Sequence, residues 1–109
     1  MEEAFRSYME QQGKAYSRIK NAFIEGLLGD LTDKNVLDYG CGAGMFTVTA
    51  AKKGAARVVG VDAEETALET ARYFARREGV ERVCTFIRRA SFPRFPPSVK
   101  FDVILMKDV

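Results

Sequence analysis

Three glycines at alternate positions, Gly40, Gly42 and Gly44, follow the apolar run Val36-Leu37-Asp38-Tyr39 and precede an amphipathic stretch that begins at Met45. Such a pattern hands a strand over to a helix through a loop in which backbone, not side chain, touches a ligand. Lacking a Cβ, these residues can take positive φ and admit a ligand close to the peptide groups. The amides that follow point at the same space from a helix N-terminus. Asp62 stands 22 residues after Gly40, at the tip of the second predicted strand, where an acid can accept hydrogen bonds from both hydroxyls of a ribose. The same Asp suits the N-cap of the helix that follows, and the two roles are compatible.

Glycine spacing bears on which nucleotide. A dinucleotide loop wants Gly-x-Gly-x-x-Gly, but Met45 occupies the third position and Gly44 comes one residue early, which weakens a reading as an NAD site. Cys41 sits beside a helix N-terminus, which can lower a thiol pKa. The chain has no histidine to activate it, so it is not expected to be a nucleophile.

The elements that must position these residues follow from periodicity and breakers. Phe5, Tyr8, Met9, Ala15, Ile19, Ala22, Phe23 and Leu27 mark an amphipathic helix over 4–28, interrupted at Gly13. Turn residues over 29–34 lead into a strand over 35–39. A helix is predicted over 45–53, a buried strand over 57–61, a helix over 63–78 and a strand over 83–88. Pro93, Pro96 and Pro97 enforce a loop before a last strand over 101–106. Strands alternating with helices of this length imply a parallel sheet with right-handed crossovers, whose ligands bind at the carboxyl ends of the strands. The glycine loop, Asp62, the Ala90-Ser91-Phe92 turn and Lys107-Asp108 all fall on that rim. Residues 1–34 read as a helical segment and residues 35–109 as the ligand-binding unit.

Composition sets the bounds. With 109 residues and 47% apolar content, the chain has the size of one small domain. It opens on Met1-Glu2-Glu3 and has no long apolar run, so neither a signal peptide nor a membrane span is expected and a cytoplasmic setting is. Cys41 and Cys84 lack ligand spacing, which predicts free thiols and no metal. A net charge of +2 does not argue for a nucleic-acid partner. From Arg72 to Lys100 eight basic residues face two acids, read as a solvated face, with RNA or an acidic partner as the alternative.

Val36-Leu-Asp-Tyr-Gly-Cys-Gly-Ala-Gly44 resembles the glycine-rich first motif of class I S-adenosylmethionine-dependent methyltransferases. Val59-Gly-Val-Asp62 is similar to their acidic second-strand motif, and the segment 101–109 resembles their fourth strand. The resemblance implies an α/β, three-layer Rossmann-like fold: about four parallel strands in the order 3-2-1-4 with helices on both faces, incomplete relative to the family's seven strands. It implies S-adenosyl-L-methionine as cofactor, its methionine moiety on the backbone around Gly40, Cys41, Gly42 and Gly44 and oriented by Asp38. Asp62 would bind the ribose, Ala63 would lie against the adenine, and Ala90 and Ser91 would meet its edge. The backbone at Lys107 would support the cofactor's amino group. The family often carries an acid just before Ala90, where this chain has Arg88-Arg89, and arginine cannot accept a hydrogen bond.

The resemblance also implies methyl transfer to a small-molecule acceptor. The 109 residues are expected to form the cofactor-binding half of a longer enzyme. The fourth strand would then be an open edge, and self-association through that edge or the N-terminal helix is expected. A non-catalytic cofactor-binding module and an NAD-dependent enzyme are the alternatives.

Overall fold

The computed structural model describes residues 1–12, 26, 29–91 and 93–106. Four strands form one parallel sheet in the order β3-β2-β1-β4: β1 (Asn35–Tyr39), β2 (Arg57–Asp62), β3 (Cys84–Arg88) and β4 (Val103–Met106). This is the strand order expected above. The sequence reverses direction across the sheet at β1, because the chain moves one way to β2 and β3 and the other way to β4. That switch point is where open parallel sheets leave a crevice at their carboxyl ends.

Alternation sorts each strand's side chains onto two faces. Val36, Val58 and Val103 share one face, with Leu31, Ala50, Ala51 and Ala55 packed on them. Helix α2 (Met45–Lys52) and helix α3 (Glu65–Arg77) cover this face, α3 through Phe74 and Ala75 against Phe86. Helix α1 (Glu2–Gln12) docks on α3. Its buried Phe5 packs 5.1 Å from Phe74 and 5.5 Å from Tyr73, with the Arg77 guanidinium 4.8 Å above the ring. Glu2 adds an ion pair to Arg77 and accepts from the Tyr73 hydroxyl. Both are exposed contacts, which contribute little, so burial of Phe5 holds α1 in place.

The opposite face carries Leu37, Val59 and Val61, covered by Phe95 and Phe101, whose rings meet edge-on at 5.0 Å. Among the described residues no helix lies here. Residues 93–102 cross this face as an irregular segment, the loop that Pro93, Pro96 and Pro97 predict by removing amide donors a helix would need. A cavity of about 300 Å³ lies between this segment and the starts of β1 and β2, away from the carboxyl rim. Asp102 ties β4 to β1 at that end: its amide donates to the Asn35 carbonyl and its carboxyl accepts from the Asn35 amide, both at 2.7 Å.

Candidate functional site

The site grows from the turn after β1. Gly40, Gly42 and Gly44 have φ of 79°, 56° and 88°, the left-handed region that side chains disfavour. Four loop amides are engaged within the fold. Gly40 and Cys41 donate to the Val61 carbonyl at 2.8 and 2.9 Å, Gly42 donates to Asp62 Oδ2 at 2.8 Å, and Gly44 donates to the Cys41 carbonyl at 3.0 Å. The loop therefore offers shape more than these donors.

The glycines differ in what they allow. A Cβ on Gly42 would meet nothing within 4 Å, so this is the open side on which a ligand can approach the backbone. A Cβ on Gly44 would lie 2.8 Å from the Ala71 Cβ, so the space that Gly44 keeps clear is taken by α3 rather than by a ligand. Its absence brings α2 and α3 together just behind the loop.

Asp62 is the hinge of the rim. Oδ2 accepts from Gly42 and Oδ1 accepts from the Glu64 amide at 2.9 Å. The second bond is an Asx turn that delays the helix, so α3 begins at Glu65 and not at residue 63. Each carboxyl oxygen keeps a second lone pair, so both can still accept from ribose hydroxyls. Ala63, Ala90 and Ser91 are exposed on the same rim.

Two candidates lie beneath the loop instead of on it. Asp38 is 1% exposed and accepts from the Thr47 hydroxyl at 2.8 Å. Its carboxyl can shape the loop from below but presents no surface of its own. Cys41 is also buried, its Sγ 3.7 Å from the Gly42 carbonyl, which leaves only its backbone near a ligand. Burial pushes the Cys84 thiol up to about 11 and keeps it protonated and unreactive at neutral pH. Lys107, Asp108 and Phe92 lie outside the described residues.

A family profile described as a methyltransferase domain matches residues 31–109, from the turn before β1 through all four strands. The chain belongs to the S-adenosylmethionine-dependent methyltransferases. Among the relatives of this methyltransferase chain is the ribosomal protein L11 methyltransferase of Alteromonas mediterranea, 40% identical over 84 residues that cover 76% of this chain and 26% of that protein. The enzyme of the same name from Escherichia coli is 38% identical over 70% of this chain and 25% of its own length. The chain thus spans about a quarter of the relatives it matches. A Thiobacillus denitrificans S-adenosylmethionine-dependent methyltransferase, solved with S-adenosyl-L-homocysteine, superposes with a TM-score of 0.65 at 28% identity, over 78% of this chain and 34% of that one.

Thr47, Gly60 and the engagement of Arg88 were not expected from the sequence. Thr47 is a polar residue inside the apolar stretch Phe46 to Ala51, and that misfit was the available signal. Gly60 interrupts Val58-Val59-Gly60-Val61, and a glycine inside a strand marks a close approach. A Cβ there would come within 3.0 to 3.1 Å of Cys41 Sγ, the Phe86 ring and Thr47 Oγ1. Nothing in the sequence pointed to Arg88 turning back on the Ala63 carbonyl.

Proposed function

We propose that this chain holds S-adenosyl-L-methionine on the rim formed by Gly40 to Gly44, Asp62, Ala63, Ala90 and Ser91, and presents its methyl group to a protein acceptor. The observation that carries the reading is the pairing of Gly42 with Asp62: an open backbone surface beside a carboxyl with acceptor capacity left over. The residues present fit the cofactor. Asp62 would take the ribose hydroxyls, and the loop would lie under the methionine end with Asp38 fixing its shape through Thr47. When bound, S-adenosylmethionine supplies an electrophilic methyl on a sulfonium. The protein's part is alignment of that methyl with an acceptor, which can contribute ~7–11 kcal/mol.

A protein acceptor is favoured over the small molecule expected from sequence because the curated relatives are named for methylation of a ribosomal protein. A cytoplasmic setting accords with free thiols at Cys41 and Cys84. No described helix is long and apolar enough to cross a membrane.

Calorimetry with S-adenosylmethionine, S-adenosylhomocysteine and NAD tests the cofactor. Binding of the first two without NAD is expected, and Asp62→Ala should weaken it by about 1.5–3 kcal/mol, the weight of a charge-assisted hydrogen bond. Tritium transfer from labelled cofactor to ribosomal protein L11, compared with a pool of small metabolites, tests the acceptor. Label in the metabolites alone would restore the small-molecule reading, and binding without any transfer would make the chain a cofactor-binding module.

A further inference from the structure

Strand order gives the rim a direction. With a ribose on Asp62 at the tip of β2 and the amino-acid end over the loop at the tip of β1, the base must run the other way, toward β3. The inference below rests on that proposed reading of the site.

At the tip of β3, Arg88 stands opposite Asp62 in the parallel ladder. Its side chain turns back across the gap, and Nε donates to the Ala63 carbonyl at 3.1 Å. The next amide does the same one residue earlier: Arg89 N donates to the Asp62 carbonyl at 2.9 Å. Both carbonyls of the Asp62-Ala63 turn are therefore held from β3. On the other side the Asp62 carboxyl is occupied by the Gly42 and Glu64 amides. The turn that carries the ribose acceptor is clamped between β3 and the glycine loop, and Arg88 supplies the side-chain half of the β3 clamp. The Arg89 guanidinium is engaged elsewhere, donating to the Arg88 carbonyl at 2.8 Å.

We propose that Arg88 is a positioning residue for Asp62. It acts through the Ala63 carbonyl, fixing the turn so that the Asp62 carboxyl stays between Gly42 and the ligand. The β3 tip thus braces the ribose-binding turn from outside. Its charged end stays exposed at the rim, so the brace demands little desolvation.

The test compares Arg88→Met, which keeps the length but loses the donor, with Arg88→Lys, which keeps a donor. The full 109-residue chain is used, by calorimetry with S-adenosylhomocysteine and by amide hydrogen exchange without ligand. Arg88→Met is expected to weaken binding about threefold to tenfold, the weight of one hydrogen bond, and to speed exchange selectively at Gly42 and Glu64. Arg88→Lys is expected to recover most of both losses. Unchanged exchange at those two amides in Arg88→Met, a uniform rise across the chain, or a lysine variant as impaired as the methionine variant would each overturn the proposal. Should the unmodified chain fail to bind S-adenosylhomocysteine, the proposed function falls, while the exchange comparison still decides whether Arg88 braces the turn.

Discussion

On the β2 side of β1, the turns that leave the carboxyl ends of the strands are tied to a neighbour. Gly40 and Cys41 are bonded to Val61, Gly42 to Asp62, Glu64 to Asp62, and the Asp62-Ala63 turn to Arg88 and Arg89. On the β4 side, the strand meets β1 along one edge, and Ile104 and Met106 are 52% and 53% exposed. One half of the rim is thus held to a fixed shape by short bonds and close packing. On the other, the described residues form a strand with apolar side chains in water. Order is concentrated on the side proposed to hold the cofactor, and apolar surface is left exposed on the other. The following substitutions should therefore be costly on the first side and cheap on the second.

The largest effect is expected at Gly44. Gly44→Val must adopt φ near 88° and push a side chain into Ala71, whose Cβ lies 2.8 Å from where the new Cβ would stand. The backbone term is about 1–2 kcal/mol and the overpacking term about 1–3 kcal/mol. A loss of about 2–5 kcal/mol in urea denaturation is expected. Pairing the variant with Ala71→Gly in a double-mutant cycle should recover the packing part and leave the backbone part. Full additivity would mean that α2 and α3 do not meet at this point.

Next comes Thr47→Val, nearly the same shape without the hydroxyl that donates to the buried Asp38. Loss of that donor should lower stability by about 1–3 kcal/mol. If Asp38 shapes the loop from below, affinity for S-adenosylhomocysteine should fall as well. Lost stability with unaltered affinity would reduce Asp38 to a structural role.

The Cys84 thiol sharpens the contrast through pH. Burial raises it from an ordinary 9.0 to about 11, so the folded chain keeps a proton that the unfolded chain releases between those values. Its contribution is fully present below pH 9 and is lost as pH rises through 11. The unmodified chain should lose stability relative to Cys84→Ala across that window and not below it, and alkylation at pH 8 should be slow while the fold persists.

How much of this was legible beforehand depends on the range of the interaction. Asn35–Tyr39 emerged from the sequence with its observed bounds because the glycines stop it and the apolar run fills it. The convergence of Gly42 and Asp62 on one rim followed from alternation of strands and helices, a rule about topology, whereas the strand order came from the family resemblance. Helix α3 starts two residues later than expected because the Asp62 side chain competes for the backbone, a local bond that periodicity does not register. The face of Leu37 and Val59 was readable only in part: three prolines predicted a loop, but not that Phe95 and Phe101 would cover those residues. Gly44 was read as facing the ligand because glycine spacing looks alike whether the absent Cβ admits a cofactor or a neighbouring helix. Only the position of Ala71 distinguishes the two.

The smallest effect is expected on the β4 side. Ile104 is opposite Leu37 in the ladder, yet half of it is exposed, whereas Leu37 is fully buried. Ile104→Lys keeps a long aliphatic stem that can lie over the sheet while its charge reaches water. Its cost in urea denaturation should be within about 0.5 kcal/mol, as for other surface changes. A charge on a strand edge also discourages pairing with another chain. If the unmodified chain self-associates through β4, sedimentation should show the concentration-dependent species disappear in Ile104→Lys while S-adenosylhomocysteine binding is unchanged. A loss of several kcal/mol would show that Ile104 is packed as tightly as the glycine side and would erase the contrast. Association that survives the substitution would move the contact away from β4.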